Sequence, residues 1–71
     1  MAFNLDTLRA NIRAERARCN ISQEELAHRC GVSTTAILSY ENGIYVPGTD
    51  KLAAIAEALG VTPNDLLGWP D

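Results

Sequence analysis

The chain lacks most of what would mark it as an enzyme, a metalloprotein or a secreted domain. One histidine and two cysteines in 71 residues are too few ligands for a metal cluster and too few thiols for a disulfide framework. His28 has no second metal-type ligand four residues on and reads as a surface residue. Cys30 lies on an apolar stripe and Cys19 at a helix end, and both read as reduced thiols, as in a cytoplasmic protein. No apolar run is long enough to span a bilayer, and no basic start followed by an apolar stretch reads as a signal peptide, so no membrane partner is expected. No serine has a histidine at usable spacing and no phosphate-binding loop is present, so neither catalysis nor a cofactor is expected. Basic charge is scarce too. A net charge of −3 and a pI near 4.9 exclude the profile of a strong, non-specific polyanion binder.

What is present is dense local signalling. Residues 22–43 read SQEELAHRCGVSTTAILSYENG. Ser22, with Glu25 three residues on, is a candidate capping box, and Ile21 and Leu26 are spaced for a hydrophobic staple across the same turn. The helix runs to Cys30 and meets Gly31, which accepts the left-handed conformation that ends helices. Ser33 caps a second helix, Val32 and Ile37 repeat the staple, and Asn42-Gly43 closes it. A turn this short makes the two helices cross steeply, the geometry of a helix-turn-helix.

The flanks read as scaffold. Leu5, Leu8 and Ile12 keep helical spacing in a first helix. Pro47 disfavours helical geometry at Val46 and keeps residues 44–48 a loop. Thr49 is the expected N-cap of a fourth helix with a face of Leu52, Ile55, Ala56 and Leu59, closed by Gly60. Thr62-Pro63 opens a short fifth helix with proline at its first position, and Val61 and Leu66 repeat the staple once more. The expectation is one all-α domain over residues 1–71, a compact five-helix fold with residues 68–71 as a tail or the start of a linker.

Residues 22–43 resemble the helix-turn-helix of the phage repressor and Cro (XRE-type) family of DNA-binding proteins. Ala27 stands at the small position of the family's first motif helix, Gly31 at its turn, and Ile37 and Tyr40 at apolar positions of its second. Pro47, Leu52, Ile55, Ala56, the run LGV at 59–61 and Leu66-Leu67 extend the likeness over roughly residues 5–67. The resemblance implies a lambda-repressor-like fold and a non-enzymatic, sequence-specific regulator. Its partner would be double-stranded DNA. A repressor of this kind binds a palindromic operator as a homodimer, with the second motif helix in the major groove.

Position by position, the resemblance makes Thr34, Thr35 and Ser39 the base-contact candidates. Gln23 matches the phosphate-contacting glutamine, and Ser22 and Asn42 fall where phosphate is often touched; Tyr45 is placed to reach it. Arg16 and Glu41 stand at the positions of a structural ion pair. Five of the six basic residues (Arg9, Arg13, Arg16, Arg18, Arg29) lie in the first 29 positions. Arg9, Arg13 and Arg16 share a helix face, which reads either as a phosphate-facing edge, with Arg13 and Arg16 its contacts, or as a solvated face paired with Asp6 and Glu15. Leu66, Leu67 and Trp69 are candidates for a dimer surface, with packing back onto the core as the other reading of Trp69. A second reading stays open: a protein-interaction module of the same fold, an antitoxin or anti-repressor partner, with little DNA binding. The acidic balance and the short side chains on the reading helix favour it.

Overall fold

The computed structural model describes residues 2–70. Five helices carry the chain: α1 Leu5–Arg18, α2 Gln23–Cys30, α3 Thr34–Glu41, α4 Thr49–Leu59 and α5 Pro63–Leu67. No strand occurs among the described residues. None of the helices described is long and apolar enough to cross a membrane.

Polar caps set most of the boundaries. Asn4, Ser22, Ser33 and Thr62 each accept a hydrogen bond from the backbone amide three residues on, satisfying one of the amides that every helix start leaves unpaired. Two expectations are corrected here. At Ser22 only half of the capping box forms, because the Glu25 carboxylate turns outward to Arg29 at 3.0 Å. The complete box is instead Thr62 with Asp65, whose carboxylate accepts from the Thr62 amide at 2.9 Å. At α4 the N-cap is Gly48, with no side-chain cap bond, and Thr49 is already the first helical residue. Gly31 closes α2 at φ 68°, and the Val32 amide returns to the Ala27 carbonyl at 3.0 Å, so α2 stops and α3 starts within a single turn.

The helices meet on one apolar core of Leu8, Ile12, Leu26, Ala27, Ile37, Ile55, Ala56, Leu59 and Leu66. Cys30, Val32 and Tyr40 pack on it from the seam between α2 and α3. The small side chain of Ala27, almost fully buried, is what permits the close approach of these two helices. Helix α1 underlies α3, α4 and α5, while α2 lies on α3 and α4. Both cysteines are free thiols. The Cys19 thiol donates to the Leu59 carbonyl at 3.4 Å, and burial pushes the Cys30 thiol above its ordinary pKa.

The end of the described chain is tied back to its beginning. Asn11 donates to the carbonyls of Asp65 and Leu66 at 3.3 and 3.1 Å, and the Trp69 indole donates to the Ala2 carbonyl at 3.3 Å. The Trp69 amide returns to the Asn64 carbonyl at 2.9 Å, and the Asn64 amide group reaches Pro70. Residues 68–70 are therefore part of the folded domain rather than a tail; Asp71, the last residue of that expected tail, lies outside the described residues. Leu66 is fully buried and cannot belong to a dimer surface, because it is the residue that seats α5 on the core.

Gly68 closes α5 at φ 74°, and a Cβ there would lie 2.8 Å from the Thr7 methyl carbon on α1. Gly60 has a similar φ of 72° but open space around it. Gly60→Ala is expected to cost only the left-handed backbone penalty, about 1–2 kcal/mol. Gly68→Ala is expected to cost more, and adding Thr7→Ser should remove the excess. Urea unfolding of the variants checks this; equal losses for Gly60→Ala and Gly68→Ala would show that the α1–α5 contact gives way freely.

Candidate nucleic-acid interface

Helix α3 presents one continuous face to solvent. Thr34, Thr35, Leu38 and Asn42 are exposed, whereas Ile37, Ser39 and Glu41 are buried and Ala36 and Tyr40 half-buried. At about 100° per residue, Thr34 and Thr35 bound an arc whose centre is Leu38. Ser39 falls roughly 40° beyond that arc on the same projection. Of the three base-contact candidates, then, Thr34 and Thr35 stand on the outward face and Ser39 does not. Ser39 is 8% exposed, and its carbonyl accepts the amides of Ile44 and Tyr45 at 2.9 and 3.4 Å, which turn the following loop back on the end of α3. Leu38, 43% exposed, takes the place expected of Ser39. The spacing 34, 35, 38, 42 would have found it from sequence; position-by-position carry-over concealed it.

The N-terminal ends of the motif helices carry further polar groups. Ser22 is exposed, and its oxygen accepts from the Glu25 amide at 3.0 Å; the hydroxyl proton is left to donate outward. The Gln23 amide donates to Glu41 Oε1 at 3.1 Å. Past the end of α3 the loop exposes Ile44, Tyr45 and Val46 in succession, with Tyr45 at 66%.

Beneath this face lies a carboxylate shielded from water. The Glu41 side chain is 2% exposed. Arg16 donates to it twice, from Nε at 2.7 Å and from its second terminal nitrogen at 3.1 Å, and gives its remaining terminal nitrogen to the Ile21 carbonyl at 3.1 Å. Glu41 holds the Arg16 guanidinium above its ordinary pKa, chiefly through the hydrogen bond and against a desolvation that would lower it. Arg13 approaches the same carboxylate at 4.0 Å and donates to the Glu41 backbone carbonyl at 2.9 Å. That carbonyl belongs to the C-terminal end of α3, where cations are favoured.

This geometry corrects the arginine stripe. Arg9 is paired with Asp6 at 3.0 Å and Arg18 with Glu15, while Arg13 and Arg16 both turn to Glu41. Arg16, with all three nitrogens engaged and a side chain 20% exposed, is not available as a phosphate contact. Arg13 keeps a side chain 53% exposed and can still face solvent.

Comparison with known proteins returns one consistent answer. The family model described as helix-turn-helix matches residues 12–66. A control protein of Bacillus amyloliquefaciens, C.BamHI, is 41% identical over 53 residues; the match covers 75% of this chain and 65% of that protein, a little under two thirds of its length. The crystal structure of the P22 c2 repressor in complex with a synthetic operator aligns with a TM-score of 0.81 at 35% identity, over 84% of this chain and 91% of that one. The restriction-modification controller protein C.AhdI of Aeromonas hydrophila aligns at 0.83 with 26% identity, over 87% and 94% of the two chains.

Removing one partner of a buried ion pair leaves the other charge stranded, at a cost of about 3–5 kcal/mol. Arg16→Met alone is expected to lose stability on that scale. Arg16→Met with Glu41→Leu should recover most of it, because the replacement is apolar on both sides. Urea denaturation of the single and double variants measures the coupling. Additive losses would mean that Glu41 is held by Gln23 and Arg13 without help from Arg16.

Proposed function

The chain belongs to the helix-turn-helix family of DNA-binding transcription regulators, and from that premise we propose that it is a sequence-specific repressor binding a palindromic operator as a homodimer. The observation that carries the reading is the outward face of α3, tied to α1 through the Arg16–Glu41 pair and exposed at Thr34, Thr35 and Leu38. Thr34 and Thr35 touch base edges in the major groove, each with one hydroxyl and one methyl. Ser22, Gln23, Asn42, Tyr45 and Arg13 surround that face and contact phosphate, Gln23 with the part of its amide that Glu41 does not engage. Arg16 acts as a positioning residue. It sets the angle of α3 on α1 and touches no DNA.

Two subunits would present their α3 helices to successive major grooves, about 34 Å apart. The apolar surface for pairing draws on Leu67 and Trp69, both half-buried, with Phe3 at 48% exposure two positions before the start of α1. Occupying a promoter then excludes polymerase, in the cytoplasm where that DNA lies. The exposed apolar run Ile44, Tyr45 and Val46 joins the acidic balance and the short side chains of α3 in favouring the second reading, a protein-interaction module.

Selection from a randomised duplex pool tests the proposal. It should enrich a palindrome whose half-sites lie about 10 bp apart. On the selected duplex, Thr34→Ala with Thr35→Ala is expected to weaken binding about tenfold or more, or ~1.4 kcal/mol, with the melting temperature unchanged because both residues are exposed. Absence of enrichment at low salt with folded protein would transfer the function to a protein partner.

A further inference from the structure

We propose that Leu38 is a specificity-determining residue that reads the C5-methyl group of thymine in each half-site; this rests on the DNA-binding reading above. Three residues make up the exposed face of α3, Thr34, Thr35 and Leu38, with the C-cap Asn42 continuing it, and none is charged. Thr34, Thr35 and Asn42 can exchange hydrogen bonds with base edges or phosphates. Leu38 cannot, and it occupies the centre of the arc, where a helix lying in the groove comes nearest to the bases.

The chemistry of the groove leaves one partner for such a side chain. Along the major-groove edges of the four base pairs, the thymine methyl is the only alkyl group; cytosine shows just a C5 hydrogen beside its amino donor, and the other groups are donors and acceptors. Leucine set against a guanine O6 or a cytosine amino group would strip water from it and return no hydrogen bond, a penalty that falls on G·C pairs. Set against thymine it removes apolar area from water on both sides. Attraction to A·T and exclusion of G·C thus come from the same side chain. The methyls of Thr34 and Thr35, on either side of Leu38 in projection, extend the apolar strip. Burial of Ser39 at 8% removes the residue whose hydroxyl would have competed for this place.

The test replaces thymine by deoxyuridine at single positions of the selected half-site, which deletes the methyl and leaves every hydrogen-bonding group in place. Wild-type protein should bind one or two of these duplexes about fourfold more weakly per methyl. Leu38→Ala should bind the thymine and uracil duplexes equally, and Leu38→Met should keep the preference. Thermal melting of both variants should match wild type, since the side chain is 43% exposed. Equal binding of thymine and uracil duplexes by wild type, or an undiminished preference in Leu38→Ala, overturns the assignment while leaving DNA binding intact. Failure to bind any duplex overturns the DNA-binding reading itself, and this assignment with it.

Discussion

Glu41 is the constraint around which α1, α2 and α3 are arranged. A carboxylate at 2% exposure is tolerable only if its charge is matched and its oxygens are hydrogen-bonded. Arg16 from α1 and Gln23 from α2 supply those bonds to a residue at the end of α3. Three helices are therefore fixed to one another at a single polar point, while apolar packing elsewhere fixes only their distances. Van der Waals contact among leucines and isoleucines permits small changes of helix rotation; a two-bond guanidinium–carboxylate pair permits few. For a helix whose function depends on which side chains lie outermost, rotation is the coordinate that matters. The pair need not add net stability to serve this purpose, since buried ion pairs often contribute little compared with apolar replacements.

The same arrangement accounts for the charge pattern. Arginines concentrated in the first 29 residues suggest a cationic edge, but each of the five has an acidic partner: Arg9 with Asp6, Arg13 and Arg16 with Glu41, Arg18 with Glu15, and Arg29 with Glu25. The exposed pairs contribute at most about 1 kcal/mol each, but they neutralise the surface locally. Few cations are left to displace counterions from a duplex, so on the proposed reading the salt dependence of binding is shallow. Affinity then rests on groove contacts and on the pairing of two subunits more than on attraction to the phosphate backbone.

Much of this was legible in the sequence because it is written in short-range signals. Caps at Ser22, Ser33 and Thr62, the left-handed glycines Gly31 and Gly60, and the recurring staple spacing each depend on residues three to five apart, and the helices begin and end close to where those residues stand. The departures have physical causes. Thr49 has the composition of a cap, but Gly48 already takes the extended conformation before α4, so threonine enters the first turn. Glu25 has two bonding choices and takes Arg29. The Asn11 tie from α1 to α5 and the Trp69 bond to Ala2 were not recognisable, because contacts between residues 54 or 67 positions apart leave no trace in local spacing. Within the stripe of arginines the resemblance already paired Arg16 with Glu41, whereas the turn of Arg13 to the same carboxylate on α3 left no mark in the spacing of its own helix.

The reading face shows where positional analogy and geometry part. Assigning Ser39 by its place in a familiar motif presumes a side chain long enough to reach the groove from the flank of the helix. A long amide or guanidinium there could extend outward from the flank; a serine hydroxyl, one bond from Cβ, stays with a residue that is 8% exposed. With the flank position withdrawn, on the proposed reading the centre of the arc becomes the dominant contact, and its chemistry becomes that of leucine. A face of two threonines, a leucine and an asparagine has hydroxyls that can pair with many base edges and one apolar group that tolerates few. On that proposal, discrimination on such a face comes more from what Leu38 excludes than from what the threonines attract.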